Sequence, residues 1–158
     1  MGVFTLETEN AATVAPEKLF QAVVLDCDTI GPKAVPQAIK SVETLEGNGG
    51  AGTIKKITFG EAASHLGYVK HRVDSIDKEK FIYNYTVIEG GALDDTLEKI
   101  TYENKIVPSL DGGSVWKTTC KFYPKGDKQV DEEKCKNAME RASGILKAIA
   151  AYLMANPN

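Results

Sequence analysis

Between Ile39 and Tyr123 apolar and polar residues alternate, and turn signals interrupt the alternation at short intervals. The interruptions are Gly47-Asn48-Gly49-Gly50, Gly60-Glu61-Ala62-Ala63, Asp77-Lys78, Gly90-Gly91 and Asp111-Gly112-Gly113. They cut out a set of strands joined by hairpin-like connections, and Val3 to Thr13 reads as a further strand ahead of them. Ala15-Pro16-Glu17 then opens a short helix through about Asp26, because proline suits a first helical turn and glutamate suits the positive end of the helix dipole. A second short helical piece is predicted around Asp28 to Ala34, with Gly31-Pro32 expected to interrupt it. The last segment has another period: Cys135, Ala138, Met139, Ala142, Ile145, Leu146, Ile149 and Leu153 fall at helical spacing from Asp131 onward. Asp131, Glu132 and Glu133 mark its start, and Asn156-Pro157 closes it. Such a helix is about 34 Å long at 1.5 Å per residue, enough to cross a domain. It must cover one face of the sheet. The predicted fold class is α+β: a curved seven-stranded antiparallel sheet wrapped around one long C-terminal helix, with two short helices, in a single domain over residues 1–158.

Alternation sorts side chains by face, and a single bulge reverses the phase. Lys55, Ile57 and Phe59 share one face; so do Phe81, Tyr83, Tyr85 and Val87; so do Glu98, Ile100, Tyr102, Asn104 and Ile106; and Trp116, Thr118, Cys120 and Phe122 complete the set. These faces are aromatic yet carry hydroxyls, an amide and a lysine. A dry core favours Leu, Ile and Val, because a buried hydroxyl or amide without a partner costs free energy. A hollow interior holding water or an amphipathic ligand removes that conflict. The helix stripe is small, with Ala138, Ala142 and Ala148 and nearby Gly144, which fits either a space or a close approach of helix and sheet. Arg141 stands at the edge of the stripe, where an arginine snorkels to solvent or anchors a ligand. The expected ligand contacts are Lys55, Ile57, Phe59, Tyr83, Tyr85, Ile100, Tyr102, Asn104, Trp116, Phe122, Met139, Arg141 and Ala142.

Composition narrows the function classes. The chain has 158 residues, with 42% hydrophobic and 26% charged, a mix that builds a core without staples. Its 19 Lys+Arg against 22 Asp+Glu give a net charge of −3, which offers no bulk attraction to a phosphate backbone. No stable nucleic-acid complex is therefore expected. Glu7 stands where a signal peptide would need an apolar run, and no stretch approaches the roughly 20 apolar residues of a membrane span. Cys27, Cys120 and Cys135 are odd in number and lack paired spacing, so reduced thiols in a cytoplasmic monomer are expected rather than disulfides or zinc.

Three motifs invite chemistry. Glu46-Gly47-Asn48-Gly49-Gly50-Ala51-Gly52-Thr53 resembles a phosphate-binding loop, but Thr53-Ile54 replaces Lys-Ser/Thr and a strand follows. A glycine-rich hairpin turn is expected there. His65 and His71 have no acid or cysteine at ligand spacing, so no metal or cofactor is expected. Asp94-Asp95 falls in a turn and is expected to face solvent.

Ordered motifs run the length of the chain: Leu19-Phe20, Val24-Leu25-Asp26, Pro36-Gln37-Ala38-Ile39-Lys40, the glycine loop through Lys56, Gly67-Tyr68-Val69-Lys70-His71-Arg72, Ile88-Glu89-Gly90-Gly91-Ala92-Leu93, Thr96-Leu97-Glu98-Lys99-Ile100 and Tyr123-Pro124-Lys125-Gly126-Asp127. In these the chain closely resembles the plant pathogenesis-related proteins of class ten, whose best-known member is the major birch-pollen allergen. The resemblance implies a helix-grip fold enclosing a large cavity. It also implies a cytosolic, stress- or pathogen-induced binding or carrier protein for flavonoids, cytokinins, brassinosteroids, fatty acids and related amphipathic compounds. Some members are allergens. A weak ribonuclease activity attributed to the family maps onto Lys55, Glu98 and Tyr152, with Ala150 where the family has a further glutamate. That missing carboxylate undermines acid–base cleavage, and a non-enzyme is expected. Relatives that condense an amine with an aldehyde use an inward Tyr, Glu and Lys cluster. Here Asn104 stands near Tyr102 and Lys117 falls in the outward phase, so no complete cluster is expected. The abscisic-acid receptors of the wider superfamily, which bind phosphatases, carry a His-Arg-Leu gate that His71-Arg72-Val73 only approaches.

Overall fold

Seven strands form one antiparallel sheet: β1 (Phe4–Ala12), β2 (Ile39–Glu46), β3 (Ile54–Phe59), β4 (Tyr68–Asp77), β5 (Ile82–Gly90), β6 (Leu97–Pro108) and β7 (Ser114–Pro124). The order across the sheet is β1-β7-β6-β5-β4-β3-β2, so β2 to β7 pair as successive hairpins and β1 returns to pair with β7. The structure is a computed structural model and describes residues 2–156. β1 and β2 lie at opposite edges, and the two short helices bridge them: α1 (Pro16–Phe20) and α2 (Cys27–Ala34). Pro16 occupies the first turn of α1, and Leu19 and Phe20 are buried beneath it. Gln21–Leu25 continues as a wider π turn, where the Asp26 N–H donates to the Gln21 carbonyl at 2.7 Å. Contrary to expectation, Gly31-Pro32 does not interrupt the second helix. The proline forfeits one backbone bond close to the helix end, and Val35 N–H closes the last turn on the Gly31 carbonyl at 2.9 Å.

The long helix α3 (Glu132–Ala155) is capped by Asp131, whose carboxylate accepts from the N–H groups of Glu133 and Lys134. Asn156 N–H bonds the Tyr152 carbonyl at its other end; Pro157, expected to help close the helix, lies outside the described residues. Apolar side chains gather in two clusters. One joins Val69, Val87, Leu97, Ile100, Cys120 and Phe122 of the sheet to Cys135, Ala138 and Met139 of α3. The other joins Leu19, Phe20, Val24, Val73, Ile106 and Trp116 to Leu146 and Ala150.

Local geometry accounts for two departures from the strand phase. Phe81 sits at φ 58° in the turn before β5, and its ring packs on Phe20 at 5.6 Å instead of continuing the strand face. Between β6 and β7, Leu97 pairs with Pro124 but Lys99 pairs with Tyr123, which leaves Glu98 as the extra residue of a bulge. Glu98 is exposed, where simple alternation put it inside. The glycine-rich loop is the β2–β3 hairpin connection. Gly47 there has φ +93°, and a Cβ would meet Thr53 Cα at 2.8 Å, so only glycine fits. Gly49 N–H donates to Thr53 Oγ1 and Gly52 N–H to the Val73 carbonyl, both at 2.8 Å. Those donors are spent inside the protein and are not free for a phosphate.

Candidate functional site

Between α3 and the concave face of the sheet lies a cavity whose wall draws residues from both apolar clusters. The centres of water-sized molecules find about 190 Å³ there. A single water needs roughly 10–15 Å³ by that measure, so the space is far larger than a packing defect. The space opens opposite small residues of the helix: Ala138, Ala142 and Ser143 line it, while Gly144 is exposed on the far side. The small stripe therefore marks a gap here rather than a close approach.

Of the side chains that alternation directed inward, Lys55, Ile57 and Phe59 on β3, Tyr83 and Tyr85 on β5, and Tyr102 and Asn104 on β6 line the cavity, as does Trp116 on β7. Met139, Arg141 and Ala142 line it from α3. Ile100 and Phe122 do not. Both are 1% exposed inside the first cluster, because they lie farther along their strands where α3 comes down onto the sheet. Phase fixes which face a residue takes, while its distance along the strand decides between packed core and open wall.

The tyrosines form a stack. Tyr85 lies 4.8 Å from Tyr102 with rings near parallel and 5.3 Å from Tyr83, and the His71 imidazole sits 4.4 Å from Tyr85. Burial pushes all three phenols well above their ordinary range, so they stay neutral hydrogen-bonding groups. Asn104 is committed to the protein. Its Nδ2 donates to the Tyr83 carbonyl at 2.9 Å, while its Oδ1 accepts from Trp116 Nε1 at 3.0 Å and Thr118 Oγ1 at 2.8 Å. It fixes the indole in the wall, and its capacity for a ligand is largely used. Asn10 on β1 reaches across to α3, donating to Ser143 Oγ at 3.1 Å.

Arg141 is half-buried, with its guanidinium 5.9 Å from the centre of the Phe59 ring, and burial lowers its basicity. Lys55 is directly cross-strand from His71. Burial, assisted by the Lys55 charge and opposed by Asp74, lowers the His71 pKa to about 3, and its Nε2 is buried without a hydrogen-bond partner. Cys27 adds a thiol to the wall, its pKa raised by burial and lowered in part by Lys55. Asn10, Cys27 and His71 were not among the expected contacts. His71 was in phase between Val69 and Val73, a legible signal; Cys27 reaches the wall from α2, where strand alternation carries no information.

The three positions mapped for RNA cleavage are not assembled. Lys55 lines the cavity, Glu98 is exposed on its bulge, and Tyr152 is half-buried near the end of α3, outside the cavity wall. Lys117 is exposed, as its phase predicts. Asp94 is exposed in its turn and pairs with Lys134 at 2.7 Å. No described helix is long and apolar enough to cross a membrane.

Comparison with known proteins agrees with this architecture. Major allergen Pru ar 1 of Prunus armeniaca is 54% identical over 158 residues, covering all of this chain and 98% of the relative. Major strawberry allergen Fra a 1-2 of Fragaria ananassa is 53% identical with the same coverage. The crystal structure of Ara h 8.0201 superposes with a TM-score of 0.85 at 41% identity, over 98% of this chain and 99% of that one. Norcoclaurine synthase from Thalictrum flavum, in complex with dopamine and hydroxybenzaldehyde, shares the fold at 19% identity, with a TM-score of 0.74 over 98% of this chain and 88% of that one. The sequence model described as the Pathogenesis-related protein Bet v 1 family matches residues 1–156. With that match over nearly its whole length and relatives more than half identical, the chain belongs to the Pathogenesis-related protein Bet v 1 family.

Proposed function

We propose that this protein is a carrier or buffer for hydrophobic, partly polar plant metabolites in defence and stress, acting as a cytoplasmic monomer, and that like its named relatives it is an allergen. The observation that carries the reading is a cavity walled by stacked tyrosines and a tethered tryptophan, with polar groups spaced among apolar ones. Flat aromatic faces with neutral hydroxyls suit flavonoids, cytokinins and steroid-like compounds, which present rings edged by oxygen and nitrogen. Ligand contacts are assigned to Lys55, Tyr83, Tyr85, Tyr102 and Trp116, with Ile57, Phe59, Met139 and Ala142 shaping the apolar wall. Asn104 acts through the indole it holds. The chain has one tryptophan, and it stands in that wall, so its fluorescence reports occupancy. Titration with a flavonoid and a cytokinin should give saturable quenching at a single site. No saturable response across a broad panel of amphipathic compounds would refute the carrier reading.

Catalysis has less support. General acid–base cleavage of RNA needs two groups poised on one phosphate, and Lys55 and Glu98 face different environments. The purified protein is expected to show no RNA cleavage above that of a Lys55→Ala, Glu98→Ala double variant.

A further inference from the structure

The charge on the cavity wall is one-sided. Its basic residues are Lys55, His71 and Arg141, and no described lining residue is an aspartate or glutamate. The lysine and the arginine stand on different elements, Lys55 on β3 in the sheet and Arg141 on α3. Ion pairs among the described residues involve Lys70, Arg72, Lys121 and Lys134, and none involves either cavity cation. The Arg141 guanidinium lies 5.9 Å from the centre of the Phe59 ring, which supplies no formal negative charge. His71, facing Lys55 across the strand pair, stays neutral and adds only an imidazole whose Nε2 is unpartnered.

A half-buried cation has lost part of its hydration and needs compensation from an opposite charge. Surface lysines obtain it from water, whereas groups in a cavity obtain it from whatever fills the cavity. Water meets part of that need in the free protein. A ligand that displaces the water must meet it instead, or leave two cations desolvated and unpaired.

We propose that the cavity selects anions: its ligand is an amphiphile carrying one oxyanion group, a carboxylate, sulfate or sulfonate, on an aromatic or aliphatic body. The apolar and tyrosine-lined wall receives the body, and the positive field of Lys55 and Arg141 receives the charge. Protonated amines are disfavoured by the same wall, because it holds two cations and no carboxylate to pair with an ammonium. The inference rests on the reading of this cavity as a binding site, and it narrows the ligand class within that reading.

The test uses two fluorescent probes with the same arylamine framework. 1-Anilinonaphthalene-8-sulfonate carries a permanent negative charge, and N-phenyl-1-naphthylamine is its neutral counterpart. The unmodified protein should bind the sulfonate tighter by about tenfold or more, in competition with the neutral probe for one site. Lys55→Met and Arg141→Met should each shrink the ratio of the two affinities, and the double variant should bring it to about one. Equal or tighter binding of the neutral probe by the unmodified protein overturns anion selection and leaves the carrier reading intact. A sulfonate signal that excess neutral probe does not displace places the charge outside the cavity and overturns it as well. If neither probe binds, this inference is overturned, and the broad ligand panel separately decides the carrier reading. The unmodified protein alone decides these outcomes, whatever the stability of the variants.

Discussion

The first turns of α3 and its middle meet the same concave sheet and behave differently. At Cys135 the helix lies on Ile100, Cys120 and Phe122 in a packed cluster, which Ala138 and Met139 close off at the edge of the cavity. At Arg141, Ala142 and Ser143 it faces open space bounded by Tyr83, Tyr85 and Trp116. Small residues occur in both segments, Ala138 in one and Ala142 and Ser143 in the other, so side-chain volume on α3 alone does not explain the contrast. The sheet does: its wall opposite the gap carries tyrosine hydroxyls and the Lys55 ammonium, which cost free energy if closed off dry and unpaired. Hollow and solid parts of one interior thus differ in polarity as much as in shape.

The largest expected effect lies in the solid part. Phe122→Ala removes a ring that is 1% exposed and in contact with Phe4, and should destabilise the fold by about 3–5 kcal/mol in urea unfolding. A loss of less than about 1 kcal/mol would mean this end is as hollow as the middle. Next comes Asn104→Ala, which strips partners from Trp116 Nε1, Thr118 Oγ1 and the Tyr83 carbonyl at once, at a cost of about 2–3 kcal/mol. It should also shift the tryptophan emission.

A further effect depends on pH. The folded protein refuses His71 a proton until about pH 3, while the unfolded chain accepts one near its ordinary 6.5. Between those values the unfolded state binds more protons, so stability falls as the pH drops through that window, by at most about 1.4 kcal/mol per pH unit. Asp74, which counteracts burial, and Lys55, which reinforces it, set how much of that slope is realised. His71→Gln should flatten the acid limb between pH 6 and 4 relative to the unmodified protein, measured by urea midpoints. An unchanged limb would mean the imidazole is hydrated within the cavity.

The smallest stability effect is expected in the hollow part. Ala142→Phe should change unfolding free energy by less than about 0.5 kcal/mol while weakening ligand binding, because the ring enters space already open. In a close-packed core the same insertion costs about 1–3 kcal/mol. A large loss of stability would erase the distinction between the two parts of the interior.

Much of this was legible in the sequence because its signals are periodic. Alternation located the strands, helical spacing located α3, and the capping Asp131 marked its start. The phase of β3, β5 and the later part of β6 directed Lys55, Tyr83, Tyr85, Tyr102 and Asn104 inward, where the cavity lies. Glu98 escaped because a bulge inserts one residue without altering composition. Ile100 and Phe122 escaped because periodicity carries no information about depth along a strand. The lack of acids on the wall was illegible for a third reason. It belongs to residues on the sheet, α2 and α3 that only the closed fold brings together.

The return of β1 to pair with β7 has a consequence in time. Phe4 and Phe122, far apart in the sequence, are register partners, whereas β2 through β7 join as successive hairpins. Hairpins form locally and fast, while pairing distant segments must first overcome the entropy of a long closed loop. During synthesis the hairpin array can assemble as it emerges, with its tyrosine face uncovered. Only when α3 follows does that face become an interior. The interval between the two is when the chain exposes most of what it will later enclose, and it is then that aggregation competes most strongly with folding.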